Sequence, residues 1–519
     1  MSGAGLSFAF PPYDIVPAIV AFSALLVLLD LGEANTSRAG LERFLLGTAF
    51  GFGAHLMGLW WIGIAFLVDA EQFAVLMPLG VVGLPLILAP FMGLAALFVG
   101  LAPPTAAWRA LALALGVSVM ELLRGVVFTG FPWNGAGVAL TPFPLFMQSA
   151  SAVGVTGLAF VAVVLGTLPV ALSERRSLWF GALGGALLGA MAIYGAVRLI
   201  DAPPVDATAP LIRVVQPNIP QSEKWEVERR AEIWATLLAL SGPSPTTTVA
   251  PPNPAVDISP ASDGGENPRG GRAPAAVVWP ETSIPFLYRT PSVEQFELAS
   301  VLAPETMLIA GAVEVAGTAA QNTTHNSVIV VAPTGTVTAR YDKAHLVPFG
   351  EYLPLQGLLA AVGLEALAAG SAQFSSGPGP VTLAPAGIPP FQPLICYEVI
   401  FPHVEGALPA RWIVNVTNDA WFGDTPGPRQ HLRHAQLRAV ERGLPVVRAA
   451  NTGISAVVDA QGRIVNSLPL LERGAFDSTL PPSRVSLYNL WGDLPLFVTW
   501  GLVLAALVVA RVRKRTEGS

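Results

Sequence analysis

At 519 residues, 52% hydrophobic, only 12% charged and with a mean hydropathy of +0.56, the chain is too apolar for an ordinary soluble protein, in which roughly a quarter of residues are charged. A net charge of −6, with no basic stripe to track a phosphate backbone, sets nucleic acid aside. The one cysteine, Cys396, has no partner for a disulfide and too few companions for a cysteine-built metal site, so it is either inert packing or a nucleophile.

Charges are sparse in 1–200, and apolar stretches of about 20 residues, enough to cross a bilayer, fall near 15–31, 45–67, 73–100, 107–128, 150–172, 178–200 and 489–511. Positive residues set orientation. They gather at Arg38 and Arg43, at Arg109, at Arg175 and Arg176, and in Arg511 to Arg515, all on one side of these spans. With that side cytoplasmic, the region between the sixth and seventh spans lies outside and the basic tail 512–519 inside. The same count leaves the N-terminus outside with no positively charged start, which suggests that an initial helix precedes the first residue. Within the spans, Glu121 and Arg124 stand three apart and can pair on one helix face.

Residues 205–485 carry the mixed charge and the glycines and prolines of a water-exposed domain. Short β-rich runs at 211–215, 275–279, 307–313, 327–331, 336–341, 394–397, 412–416 and 455–458 share it with helical patterns at 223–240 and 429–442, predicting a layered α/β fold. The segment 241–274 is rich in Pro, Gly, Ser and Thr and too poor in large apolar residues to offset its ordering entropy, so it reads as a disordered surface insertion.

Three reactive side chains follow β-like runs: Glu281 after Val277-Val278-Trp279-Pro280, Lys343 after Tyr341-Asp342, and Cys396 after Leu394-Ile395. Each alone is ordinary, because a lone Cys is more often core packing and a Glu or Lys at a strand end a solvated charge. Brought together, they would form a device for attacking a carbonyl. Glu281 would take the thiol proton, Lys343 would stabilise the oxyanion, and the product would be a thioester on Cys396. His431 and His434 are three apart on a predicted helix but have no third ligand nearby in sequence, and no phosphate-binding glycine loop is present; the reading needs neither metal nor cofactor.

Val278-Trp279-Pro280-Glu281, Tyr341-Asp342-Lys343 and Ile395-Cys396-Tyr397-Glu398 resemble the Glu, Lys and Cys motifs of the nitrilase (carbon-nitrogen hydrolase) superfamily. His345-Leu346-Val347-Pro348-Phe349-Gly350-Glu351 together with the segments Asn218 to Trp225, Asn418 to Gly423 and Gly130 to Trp133 narrow the resemblance to the bacterial apolipoprotein N-acyltransferase family. The resemblance implies a multi-pass α-helical membrane bundle (1–200, with 489–511 as C-terminal span) carrying an α-β-β-α nitrilase-like sandwich (205–485) on the outer face of the inner membrane. It also implies that an acyl chain passes from a phospholipid to the α-amine of a diacylglyceryl cysteine at a lipoprotein's N-terminus. Catalysis then maps to Glu281, Lys343 and Cys396, with Trp133, Trp225, Glu351, Tyr397, Glu398, Trp421 and Phe422 in supporting or substrate-binding places. The family has eight spans, one more than counted here, and 241–274 has no counterpart in its pattern.

Two rival readings use the same residues differently: a membrane-tethered amidase acting on a small amide, and a lipid-binding or transport scaffold that has lost catalysis. The insertion supplies a first prediction. Deleting 241–274 is expected to leave turnover nearly unchanged, and a large loss in an acylation assay would refute its passive role.

Overall fold

The computed structural model describes residues 2–33, 38–201, 206, 208–242, 272–289, 291–318, 321–354, 374–402 and 409–517. Most of the segment 241–274 therefore lies outside the described residues. Among the described residues, five helices are long and apolar enough to cross a membrane: Ala39–Leu67, Ala70–Leu101, Ala106–Arg124, Leu178–Ile200 and Leu494–Lys514. Val16–Leu31 and Ala150–Gly166 are shorter apolar helices packed into the same core. The last span begins at Leu494 because Leu487–Trp491 forms a separate short helix ended by Gly492 at φ 54°.

The globular region holds two sheets. Strands β1 (Leu211–Gln216), β2 (Ala276–Val278), β3 (Met307–Thr318), β4 (Gln321–Val331), β5 (Val337–Asp342) and β11 (Gly474–Thr479) run in the order β11-β1-β2-β3-β4-β5. Strands β6 (Phe391–Ile395), β7 (Trp412–Thr417), β8 (Val446–Ala450), β9 (Ser455–Val458) and β10 (Ile464–Leu468) run in the order β10-β9-β8-β7-β6. Strands β1 to β3 and β6 to β8 are parallel within their sheets. Parallel strands need cover on both faces, and β1, β6, β7 and β8 are buried along their whole lengths.

The inner faces meet through Ile212, Val278 and Ile309 on one side and Phe391, Val414 and Val447 on the other. The outer face of the first sheet packs on helix α1 (Arg230–Ser241) and helix α2 (Val293–Val301) through Trp234, Leu237 and Leu298. The outer face of the second packs on helix α3 (Pro426–Arg442) through Leu432, Ala435 and Ala439. This is the α-β-β-α sandwich that the resemblance implied.

Helix α3 has clear punctuation: Thr425 caps its first turn by accepting from the Gly427 amide at 3.2 Å, Pro426 opens it, and Gly443 closes it at φ 65°. Its composition is polar, yet Gln430, His431, Arg433, His434, Arg438 and Glu441 are all buried. The reason is that its far side rests on the membrane bundle. The Gln430 side-chain oxygen accepts from Trp61 Nε1 (3.0 Å), Trp133 Nε1 (2.9 Å) and Asn134 Nδ2 (3.1 Å), while its amide nitrogen donates to the Pro11 carbonyl at 3.1 Å. Arg433 reaches Asp14 at 3.0 Å, and Glu441 accepts from the Val155 amide at 2.7 Å.

Gln430→Leu would strip this acceptor at nearly constant volume. Trp61 and Asn134 keep the Gly58 carbonyl as acceptor, at 3.1 and 3.2 Å, but Trp133 Nε1 is left unpaired; a buried donor without a partner costs about 1–3 kcal/mol, so the detergent-solubilised variant is expected to melt below the parent. An unchanged melting temperature would show that the seam does not depend on Gln430.

Candidate active site

Glu281, Lys343 and Cys396 follow β2, β5 and β6, so two come from the first sheet and one from the second. Glu281 and Lys343 are buried, and Cys396 is partly exposed. Lys343 Nζ sits 2.9 Å from Glu351 and 3.6 Å from Glu281 Oε1. Asn326 on β4 completes the group, its amide donating to Glu281 Oε1 and to Glu351 Oε1, both at 2.8 Å. Burial alone would lower the lysine pKa, but Glu351 and Glu281 outweigh it and raise the value above the ordinary lysine range. The ammonium is thus a permanent charge.

The thiol behaves differently. Burial and the Glu281 charge push the Cys396 pKa up, with Lys343 only partly opposing them. Cys396 therefore rests as a thiol, and a base must take its proton as it attacks. Its backbone is left-handed at φ 49°, a conformation costing roughly 1–2 kcal/mol for a residue with a Cβ. Its carbonyl lies 3.1 Å from His431 Nε2, whose Nδ1 is 2.8 Å from Asp419, itself paired with Arg448 at 2.6 Å.

The turn bearing Glu281 is strained as well, with Thr282 at φ 43°. Buried Lys224 pins it, donating to the Glu281 carbonyl at 3.0 Å and to Thr282 Oγ1 at 2.7 Å. Burial brings the Lys224 pKa down to about 8, against the pull of Glu281 and Cys396.

The supporting residues divide by place. Glu351 joins the charge cluster. Glu398 is fully buried, and its oxygens are taken by Tyr341 OH (2.6 Å) and the amides of Ala344 (2.9 Å), His345 (3.0 Å) and Ile395 (2.8 Å). It ties the lysine loop to the cysteine turn. Burial raises its pKa despite these donors. Tyr397 donates to the Gly130 carbonyl at 2.7 Å and so joins the site to the membrane half. Trp133 is only 2% exposed and sits in the seam against Trp61 at 5.1 Å and His431 at 5.3 Å, away from open solvent. Phe422 packs edge-on to Trp61 at 4.7 Å, whereas Trp421 and Trp225 are exposed.

Asn326, Lys224 and the His431–Asp419–Arg448 group were not singled out as site residues from sequence. Lys224 adjoins Trp225 and Asp419 lies in the Asn418 to Gly423 segment, so both belong to segments that carry the family resemblance; nothing local marks Asn326. Glu121 and Arg124 serve the loop that follows them. Glu121 accepts from the Ala136 amide at 2.7 Å, and Arg124 donates to the carbonyls of Phe131 (2.6 Å) and Trp133 (2.9 Å).

Comparison with known proteins matches residues 2–168 to the apolipoprotein N-acyltransferase N-terminal domain and residues 211–489 to carbon-nitrogen hydrolase. An apolipoprotein N-acyltransferase of Brucella melitensis biotype 1 is 40% identical over 526 residues, covering 99% of this chain and 94% of the relative. One from Sinorhizobium fredii is 42% identical over 528 residues, covering 99% and 95%. Among solved structures, a nitrilase-superfamily amidase from Nesterenkonia is 18% identical and covers 58% of this chain and 99% of its own, with a TM-score of 0.36.

Gly311 on β3 holds the Glu281 turn by close approach. A Cβ there would lie 2.4 Å from the Pro280 carbonyl oxygen and 2.5 Å from Glu281 Cα. Gly311→Ala is therefore expected to displace Glu281 and cost about 1–3 kcal/mol through overpacking. Parental melting temperature and parental turnover together would refute the constraint.

Proposed function

The chain belongs to the apolipoprotein N-acyltransferase family, and from that premise we propose how its residues carry out the reaction. A fatty acyl chain moves from a membrane phospholipid to the N-terminal amine of a diacylglyceryl-cysteine lipoprotein through a thioester on Cys396. Glu281 takes the thiol proton as Sγ attacks the ester carbonyl, and the developing oxyanion faces Lys343. Collapse expels the lysophospholipid oxygen, which leaves with the proton held by Glu281. In the second half, Glu281 accepts a proton from the attacking amine, the amide forms, and Cys396 is released and reprotonated. The observation that carries this reading is the Glu281–Asn326–Glu351–Lys343 cluster, a fixed cation beside a carboxylate at the strand end next to a protonated thiol.

The membrane half supports transfer from a lipid over hydrolysis of a soluble amide. Each methylene is worth about 0.8 kcal/mol, so lifting a chain of roughly 15 methylenes into water would cost on the order of 12 kcal/mol. A domain whose cysteine turn is hydrogen-bonded to a loop of the helix bundle, through Tyr397 and Gly130, can leave the tail in an apolar place while only the ester reaches Sγ. Excluding water there would also protect the thioester until an amine arrives. The positive residues at Arg38, Arg109, Arg175 and in the C-terminal tail favour a cytoplasmic C-terminus and a catalytic domain on the outer, periplasmic side of the inner membrane.

Purified protein incubated with phospholipid alone is expected to gain one acyl chain by intact mass, released by hydroxylamine and absent in Cys396→Ala. Glu281→Gln and Lys343→Ala should each slow that gain by at least about 10²-fold, the typical size of a general-base or oxyanion contribution. Folded protein that never acquires the adduct would favour the small-amide hydrolase instead.

A further inference from the structure

Helix α3 delivers one ring to the back of the nucleophile. His431 is fully buried, and its Nε2 lies 3.1 Å from the main-chain carbonyl oxygen of Cys396, the residue held at φ 49°. That oxygen can only accept, so Nε2 carries a proton. The other nitrogen, Nδ1, has Asp419 Oδ1 at 2.8 Å and an Arg448 nitrogen at 3.2 Å. In the neutral ring Nδ1 then accepts from the Arg448 guanidinium; donating to the Asp419 carboxylate as well would make the ring an imidazolium, which burial and Arg448 disfavour.

Asp419 and Arg448 make a rigid mount. Both are fully buried and paired at 2.6 Å, Arg448 also binds the Asn415 side chain on β7, and Thr417 donates to Asp419 at 3.1 Å. Burial would raise the Asp419 pKa, but Arg448 and His431 hold it at about 2, so its charge persists. On its other flank His431 is clamped by Trp133 at 5.3 Å and Phe422 at 6.1 Å. A ring so confined makes no contact with solvent, and its one bond toward the reaction ends on the backbone of the nucleophile.

We propose that His431 is a positioning residue for acyl transfer: mounted on Asp419 and Arg448, it donates from Nε2 to the Cys396 carbonyl and keeps that residue in the left-handed conformation from which its thiol meets Glu281 and Lys343. It touches no reacting atom. The inference rests on the thioester reading above, and it adds a side chain from helix α3 to those on which the geometry of that thioester depends.

The test compares His431→Gln, whose amide nitrogen can occupy the place of Nε2, with His431→Asn, which can keep only the Asp419 contact. Single-turnover acylation by phospholipid, followed by intact mass, separates two quantities. Amplitude counts folded enzyme, and the rate constant reports alignment. H431N is expected to acylate about 10²-fold more slowly at saturating phospholipid, the size of loss that small misplacements of reacting groups cause, with half-saturation unchanged. H431Q should recover most of that rate. A merely structural role would lower amplitude and leave the rate constant alone, so equal rate constants for H431N and the parent, or for H431N and H431Q, would overturn the proposal. Should H431N yield no titratable enzyme, His431→Met fills the same space without a donor, and a rate constant matching that of H431Q is equally fatal. A parent that forms no thioester would instead sink the acyl-enzyme reading itself.

Discussion

A lysine ammonium only 1% exposed sits at the centre of this domain, and burying such a charge costs several kcal/mol unless it is paired and hydrogen-bonded. Lys343 meets that cost with two carboxylates from different parts of the chain, bridged by one amide from a third. The arrangement is demanding. It requires β2 and β5 to end near Asn326, which stands in the middle of β4, and the loop to Glu351 to fold back, and Glu351 itself is held by the Val347 amide at 2.8 Å. Once built, it places a fixed positive charge beside a base without any need for reorganisation during reaction, which is the condition under which electrostatic stabilisation is strongest.

Around that centre, the two reactive turns share a design. Both Thr282, after the base, and Cys396, the thiol, hold positive φ, and each turn is pinned by a buried donor, Lys224 in one and His431 in the other. Strain of this kind persists only where surrounding contacts over-determine it. Here those contacts are side-chain donors aimed at main-chain carbonyls, so the backbone, rather than the reactive side chain, is what the second layer grips.

Much of this was legible in the chain. The apolar stretches and the β-rich runs follow from local composition, and Glu281, Lys343 and Cys396 stand at run ends where local reading can find them. Three strands were missed. β8 interrupts its Val-Val with Arg448 and two alanines, while β10 and β11 carry Asn, Ser, Asp and Gly, so neither pair of features reads as a strand without the partners that bury them. Trp133, placed by the resemblance among supporting or substrate-binding residues, lies in the seam, because an indole that finds a buried acceptor such as Gln430 is drawn inward. Asn326 and Arg448 were beyond local reading for a plainer reason: their meaning comes from residues 45 and 29 positions away in sequence.

The seam built on Gln430 has a consequence for descent. One amide from the hydrolase-like half answers two indoles and a carboxamide from the helical half; Trp61 and Asn134 also donate to the Gly58 carbonyl on their own side, whereas Trp133 Nε1 has Gln430 alone among the described residues. The halves therefore cannot be exchanged freely between relatives as modules. A change at Trp133 calls for a matching one in helix α3, where the residue after Gln430 holds the nucleophile's backbone. What looks like a soluble enzyme fastened to an anchor is, at this joint, a single unit of inheritance.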